Sequence, residues 1–270
     1  MHLAVANQWP NDVCYTDWES NKEQLVRKNE YARMAEHERA YWWHIGRLSI
    51  IRTYIEKALG SRSSKAKILN VGCGTGGTID MLEQFGAVKN VDISDEAIKF
   101  MNDQGYKDIV KVDDIALPFK DGAFDVVGAF DVLEHIDDQL GALKEWRRVI
   151  KDDGAIIITV PAYQWLWSAH DVSLYHKRRY TVRSLTQVAQ EAGLRPQKKS
   201  YAIVFSLLLV VGFRFLNKLL GRRTDSETSY VKLPEGVNKL FTTLLQVEAK
   251  LHYSVSFPAG TSVVAILKKA

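Results

Sequence analysis

The chain has 270 residues, of which 46% are hydrophobic and 25% are charged. This composition is typical of a globular protein with one sizeable core, and it excludes disordered and collagen-like architectures. The 36 Lys and Arg residues exceed the 32 Asp and Glu residues by four, an excess too small to indicate nucleic-acid binding by itself.

The termini and the cysteine content predict a protein of a reducing compartment. Cys14 and Cys73 are too few for a disulfide framework, and no Cys and His spacing matches a zinc site. The first residues lack the apolar stretch of a signal peptide, so we expect a cytoplasmic protein. The longest apolar run, 202–213, is shorter than the roughly 18–20 residues of a membrane-spanning helix, although a helix lying on a membrane surface stays open.

Residues 1–60 are predicted to form a helical cap, because apolar residues recur near the 3.6-residue spacing with charged residues between them. From Lys65 onward, short β-rich runs alternate with amphipathic stretches, which indicates a parallel sheet covered by helices on both faces. The predicted strands are Ile68–Val71, Val88–Asp92, Ile109–Val112, Phe124–Ala129 and Ala155–Val160, and the predicted helices are Gly77–Phe85, Asp95–Gln104, Asp138–Ile150 and Val182–Ala192.

The rest of the chain predicts two strands separated by a helical insertion. The strands are placed near Pro196–Val204 and at Ser262–Leu267. The insertion reads as two helices, 205–220 and 236–251, joined by a polar loop from Arg222 to Tyr230. The predicted organisation is therefore a cap of residues 1–60, a core of residues 61–204 plus 260–270, and an insertion of residues 205–259.

A predicted strand running into a glycine-rich turn is the strongest motif, Asn70-Val71-Gly72-Cys73-Gly74-Thr75-Gly76-Gly77. Glycines let the backbone approach a cofactor closely. Gly72, Gly74 and Gly77 fit the G-x-G-x-x-G of dinucleotide-binding proteins, and Gly76 in place of Gly77 gives the G-x-G-x-G of enzymes that use S-adenosylmethionine. The turn alone leaves both cofactors open.

Acidic residues follow the turn in a recognisable order. Asp92 ends the predicted second strand, where a carboxylate can accept hydrogen bonds from both hydroxyls of a ribose. The later motifs are Asp113-Asp114-Ile115-Ala116-Leu117-Pro118-Phe119, Asp121-Gly122-Ala123-Phe124-Asp125 and Val132-Leu133-Glu134-His135. Together they resemble the class I S-adenosylmethionine-dependent methyltransferases, in the small-molecule, type 11-like branch. The resemblance implies an α/β fold with a Rossmann-like, seven-stranded, mostly parallel sheet and an antiparallel last strand.

The resemblance also implies which residues bind the S-adenosylmethionine cofactor. These are Arg47, Asn70, Gly72, Cys73, Gly74, Asp92, Ile93, Asp113, Asp114, Ile115 and Phe130. In this set, the glycine turn would contact the methionine and ribose portions, and Asp113 would contact the adenine amino group. Asn70 departs from the family pattern, which usually has an acidic residue there. The departure puts the anchoring of the methionine ammonium in question.

Methyl transfer mainly requires alignment of the acceptor and exclusion of water, so we expect no metal. A hydroxyl acceptor benefits from a base. The candidate bases are His135, His170 and His176, and the candidate substrate-binding residues are Asp171, Arg179 and Tyr180. All six follow predicted strands four and five, at the edge where open α/β sheets bind ligands. Asp171 is expected to orient either His170 or His176.

The predicted reaction is methyl transfer to an oxygen of a small-molecule, glycan or lipid-linked acceptor. No Asn-Pro-Pro-Tyr-like segment follows predicted strand four, which argues against a nucleic-acid base as acceptor. The insertion is left open as a hydrophobic lid, a homodimer interface or a membrane-surface element. Two other functions are also open: a non-catalytic partner protein that binds S-adenosylmethionine, which Asn70 favours, and an NAD-dependent oxidoreductase.

Overall fold

The computed structural model describes residues 31–32, 34–62, 65–219 and 233–270. The strands are β1 (Ala66–Val71), β2 (Gly86–Asp92), β3 (Ile109–Lys111), β4 (Phe124–Phe130), β5 (Ile150–Pro161), β6 (Leu194–Ala202) and β7 (Ser262–Lys269). In this part of the chain they form one sheet in the order β3-β2-β1-β4-β5-β7-β6. β7 runs antiparallel to β5 and β6, whereas the other neighbouring strands are parallel. The predicted Rossmann-like sheet with an antiparallel last strand is confirmed.

Helices cover the sheet between these strands. They are α1 (Trp42–Leu59), α2 (Ile79–Glu83), α3 (Asp95–Asp103), α4 (Gln139–Val149), α5 (Ala169–Ser173), α6 (Val182–Glu191), α7 (Val204–Leu219) and α8 (Glu235–Leu251). Residues 34–40 are also helical. Side chains of Ser94, Asp138 and Thr181 accept hydrogen bonds from the first turns of α3, α4 and α6, which explains where these helices begin.

The starts of α2 and β5 are among the element boundaries that differ from the sequence prediction. α2 begins at Ile79 rather than Gly77, because Gly76 has a φ of +86° and its N–H still donates to Cys73 within the turn. β5 begins at Ile150 rather than Ala155, because Ile150 already pairs with β4. The glycine-rich turn therefore delays the start of α2, whereas pairing with β4 moves the start of β5 earlier in the chain.

Side chains that alternate along the central strands build an apolar layer on each face of the sheet. In β5, Ile156 and Ile158 join a cluster with α4 and α6, whereas Ile157 faces a cluster with α1 and α8. This alternation follows from the two-residue period of a strand. The sheet is therefore buried on both faces, as the alternating β-rich and amphipathic runs predict.

The predicted cap and the predicted insertion contact each other on one of these faces. The Trp42 N–H donates to Asn238 Oδ1 at 2.9 Å, and Tyr54 Oη lies 3.2 Å from His252 Nδ1. Residues 1–30 of the cap and the predicted loop from Arg222 to Tyr230 lie outside the described residues. Among the residues that are described, no helix combines the length and apolarity that crossing a membrane requires. The division into three domains stays a prediction.

Candidate functional site

The glycine-rich turn lies at the carboxyl edge of the sheet, directly after β1. Gly72 and Gly74 have φ values of +66° and +52°, which glycine adopts without the steric cost of a Cβ atom. A Cβ atom on Gly72 would collide with Val132, whereas one on Gly74 would project into open space. The main chain of the turn is therefore open on one side, as a cofactor cradle must be.

Asp92 connects the turn to the end of β2. Its Oδ2 accepts a hydrogen bond from the Gly74 N–H at 2.8 Å, and its Oδ1 accepts one from the Ser94 N–H at 2.9 Å. The next residue, Ile93, is 69% exposed. An exposed isoleucine beside a fixed carboxylate provides an apolar surface and a hydrogen-bond acceptor together. This combination suits a nucleoside.

Asn70 is buried beneath the turn. Its Nδ2 donates to Asn90 Oδ1 at 3.0 Å and to Thr78 Oγ1 at 3.2 Å. The amide therefore holds β1, β2 and the segment before α2 together. It carries no charge that could bind an ammonium group.

The predicted adenine-binding residues follow β3 along the same edge. The Asp113 side chain is 92% exposed. Asp114 Oδ1 accepts a hydrogen bond from the Ile115 N–H at 2.7 Å, and Ile115 packs against the core. Asp113 is therefore accessible to a ligand, whereas Asp114 is used by its own turn.

α1 brings Arg47 to the ends of β1 and β4. Its guanidinium group forms an ion pair with Asp131 and lies 5.0 Å from the ring centroid of Trp43. Arg47 lines a cavity of about 90 Å³ together with the glycine turn and Phe130. The structure thus brings together five of the predicted cofactor-binding residues around one small cavity: Arg47, Gly72, Cys73, Gly74 and Phe130.

A larger cavity of about 460 Å³ lies between α1, the loop after β5 and α7. Its volume is in the range of pockets that hold small molecules. Apolar side chains form part of the wall, including Trp42, Trp43, Leu166, Leu174, Leu209 and Val210, and the polar lining residues include Asp131, Glu134, His170, His176 and Arg179. His44 lines both cavities. Burial lowers the pKa of His44 to about 3, and the nearby Arg47 and His37 lower it further. The imidazole that the two cavities share is therefore uncharged at neutral pH.

Asp171 is completely buried and holds two of the predicted site residues. Its Oδ1 lies 2.9 Å from His176 Nδ1, and both of its oxygens accept hydrogen bonds from Arg179, at 2.7 and 2.9 Å. Burial would raise the pKa of the Asp171 carboxyl, but the hydrogen bonds from His176 and Arg179 outweigh it and hold the pKa well below its usual value. The carboxylate thus orients His176, one of the two alternatives that the sequence leaves open.

His135 and Glu134 lie beside this network. The His135 ring meets the His176 ring edge-on, with 4.8 Å between centroids. Both oxygens of the Glu134 carboxyl group are buried without a hydrogen-bond partner, and burial, with Asp131 nearby, raises the pKa of Glu134 well above its usual value. Potential ligand atoms of Glu134, His135 and His176 lie within 4.8 Å of one another. The expectation of a metal-free site stays a prediction.

The two remaining predicted residues differ in position. His170 lines the larger cavity, and burial lowers its pKa. Tyr180 is buried, and its hydroxyl donates to Gln139 Oε1 at 2.8 Å. Tyr180 therefore links the loop after β5 to the start of α4.

Comparison with known proteins assigns this arrangement to a family. Residues 69–158 match the family model described as a methyltransferase domain. A ubiquinone biosynthesis O-methyltransferase from Bordetella bronchiseptica is 29% identical over 189 residues, which cover 67% of this chain and 62% of that protein. Residues 69–158 thus carry a class I S-adenosylmethionine-dependent methyltransferase domain. S-adenosylmethionine is the cofactor of this domain.

Two further matches show how much of this chain resembles known proteins. An uncharacterised protein from Methanocaldococcus jannaschii is 31% identical over 149 residues, covering 54% of this chain and 56% of that protein. The complex between the Haloferax volcanii Trm112 methyltransferase activator and a methyltransferase contains a chain with a TM-score of 0.54 and 16% identity, covering 89% of this chain and 94% of that chain. At 16% identity, the second match shows a similar fold and nothing more. This chain spans about half the length of the curated relatives that it matches.

Sequence reasoning does not predict several residues that line the two cavities, among them Glu38, His44 and Glu134. Glu134 belongs to the Leu133-Glu134-His135 motif that follows β4. An acidic residue beside an apolar one at this edge of the sheet is a sequence signal that could have indicated a site residue. Glu38 and His44 precede β1 by more than twenty residues. The predicted role of Arg47 indicates that its helix lies near the turn, but no local pattern singles out Glu38 or His44.

Proposed function

We propose that this protein transfers the methyl group of S-adenosylmethionine to an oxygen of a small-molecule, glycan or lipid-linked acceptor. The observation that carries the proposal is the pair of adjoining cavities, one at the glycine turn and one of about 460 Å³, with His44 in the wall of both. Adjoining cavities would hold the cofactor and the acceptor next to each other, as group transfer requires. The cofactor supplies a methyl group activated by its sulfonium.

The cofactor would be held by the glycine turn, Asp92 and Arg47. The open side of Gly74 admits the cofactor's backbone contacts, and the Asp92 carboxylate is positioned for ribose hydroxyls. Ile93 and Asp113 are exposed at the same edge and would receive the adenine. Phe130 closes the cavity on the β4 side.

The acceptor would occupy the larger cavity, whose wall combines leucines with histidines. An oxygen acceptor that is a hydroxyl must give its proton to a base. His176 is oriented by Asp171 for this role. His170 is a second candidate, because burial lowers its pKa and keeps the ring neutral at neutral pH. Asp171 and Arg179, which are paired with each other, would shape the acceptor site.

The insertion is the basis for the lipid-linked part of the proposal. Leu209 and Val210 of α7 line the acceptor cavity, and the neighbouring Leu208 is 74% exposed. Apolar surface that continues from solvent into the cavity would let a greasy acceptor enter from a membrane surface. We therefore infer a cytoplasmic protein that binds peripherally to the membrane. We also propose the division into a cap of residues 1–60, a core of residues 61–204 plus 260–270, and an insertion of residues 205–259.

The proposal is tested with methyl-labelled S-adenosylmethionine and two extracts of whole cells, one soluble in chloroform and one in water. We expect the purified protein to label a product that partitions into chloroform. Asp92→Ala should weaken cofactor binding by roughly 1–3 kcal/mol, because buried donors lose a charged acceptor, and should lower labelling accordingly at limiting cofactor.

Asp95→Ala is the matched control, since its side chain is three-quarters exposed on α3. It should label like the unmodified protein. Tight cofactor binding without labelled product in either extract would contradict the proposed activity and favour the non-catalytic partner protein. Equal cofactor binding by the Asp92→Ala variant would contradict the assignment of the cofactor site.

A further inference from the structure

Glu38 lies over the glycine-rich turn. It belongs to the helical residues 34–40 that precede α1. Its carboxylate accepts a hydrogen bond from the Thr75 hydroxyl, and a Cβ atom on Gly77 would collide with its Oε2. Glu38 also lines the 90 Å³ cavity, in which Arg47 is another lining residue. A carboxylate from outside the Rossmann-like core is therefore part of the cofactor cavity.

Tyr31, which precedes the helical residues 34–40, makes a second contact along the same edge. Tyr31 Oη lies 3.1 Å from Ser94 Oγ, and its ring centroid is 5.9 Å from that of Phe100. Ser94 follows β2 and Thr75 follows β1. Tyr31 and Glu38 thus contact the segments that follow both strands that carry the cofactor motifs.

The charges of this cavity match the amino acid end of the cofactor. That end carries an ammonium and a carboxylate group. Of the charged residues that line the cavity in the described part of the chain, Arg47 is cationic and Glu38 is anionic. Asn70, at the family's usual acidic position, is neutral, and its amide is bonded to Asn90 and Thr78. A cavity of about 90 Å³ suits a small charged group rather than a whole nucleoside, which needs a pocket of roughly 300 Å³ or more.

We propose that Glu38 binds the ammonium group of S-adenosylmethionine and replaces the acidic residue that is absent at position 70. The inference rests on the proposed function, because it assumes the same cofactor site. Arg47 would bind the carboxylate of the same amino acid end. Glu38 and Arg47, both from residues that precede the core, thereby complete a site whose other parts come from the glycine-rich turn and Phe130.

The test is the substitution Glu38→Gln in the full chain, which removes the charge and keeps the size of the side chain. Binding is measured by calorimetry with two ligands: S-adenosylhomocysteine and its analogue that lacks the amino group but keeps the carboxylate. We expect the dissociation constant for S-adenosylhomocysteine to rise roughly tenfold, as for the loss of one charged hydrogen bond. The dissociation constant for the deaminated analogue should change less than about twofold, because that ligand has no ammonium to lose.

Glu36→Gln is the control, because Glu36 is exposed on the same helix. It should leave both dissociation constants unchanged. An equal loss of affinity for both ligands in the Glu38→Gln variant would show a structural role through Thr75 and would overturn the proposal. Unchanged affinity for S-adenosylhomocysteine would overturn it as well, while the proposed function would stand. Failure of the unmodified protein to bind S-adenosylhomocysteine would overturn both.

Discussion

Asp171 shows how one buried residue orders the acceptor side of the site. Its carboxylate accepts hydrogen bonds from Arg179 and from the Ser168 N–H and lies against His176. The sequence places these residues in one loop, but their spacing leaves the partner of Asp171 undecided. The fold of the loop decides it, because α5 begins with Ser168 as its N-cap and turns Asp171 toward His176.

We expect Asp171→Asn to destabilise the protein in a pH-dependent way. The pKa of Asp171 is lowered in the folded state, so its stabilising contribution is fully present above the unfolded pKa of about 3.9 and is lost as the pH falls through the folded value. At neutral pH the variant should lose about 3 kcal/mol, because Arg179 loses a buried charged partner. Urea unfolding of both proteins measures this loss. The difference in their free energies of unfolding should be smaller below about pH 4 than at neutral pH.

Asp137→Asn serves as the control for this prediction. Asp137 also pairs with a cation, Lys177, at 3.2 Å, but its side chain is largely exposed. Its loss should change stability by less than about 1 kcal/mol. A destabilisation by Asp171→Asn that stays constant over the pH range would show that the carboxylate charge is not the cause.

At the scale of elements, the first turn of α7 is held by a residue of α8. The Ile203 and Val204 N–H groups donate to the two oxygens of the Glu248 carboxylate at 2.6 and 3.0 Å. A carboxylate at a helix N-terminus binds unpaired N–H groups and is favoured by the helix dipole. α7 and α8 therefore form one unit, although a long segment separates them in the chain. Sequence periodicity predicts both helices but not this contact.

We expect the exposed face of α7 to bind vesicles that contain anionic lipid. Leu208→Ser should weaken vesicle binding roughly tenfold, because a leucine that would enter the membrane no longer contributes its apolar surface. Ile93→Ser is the control, since Ile93 is exposed to a similar extent but follows β2, far from β6 in the strand order. Cosedimentation measures both variants. Equal binding by the Leu208→Ser variant and the unmodified protein would leave the lid or homodimer interpretations of the insertion.

At the scale of the whole molecule, α1 and α8 approach each other closely at Gly46. A Cβ atom on Gly46 of α1 would collide with Leu245 of α8, so a glycine is needed for the two helices to approach. α1 also carries His44 and Arg47, which line the cavities. The position of α8 is thus linked to the position of cofactor-binding and acceptor-binding side chains.

We expect Gly46→Ala to destabilise the protein by about 1–3 kcal/mol, as for overpacking of a core. It should also weaken S-adenosylhomocysteine binding, because α1 must shift. Gly212→Ala is the control: its Cβ atom would meet nothing within 4 Å on α7, and alanine should stabilise the helix by up to about 1 kcal/mol. Thermal unfolding and calorimetry measure both effects. Equal stability of the two variants would contradict the role assigned to Gly46.

The sequence by itself determined the order of the strands and helices, the glycine-rich turn and its partner Asp92. These features depend on local periodicity and on motifs that lie within one strand, turn and helix. Only the tertiary structure decided that Glu38 lies over the turn, that Glu134 is buried beside His176 and that α8 packs on α1. The physical reason is that such contacts join residues far apart in the chain, and their geometry is set by how whole elements pack on the sheet rather than by the spacing of residues within them.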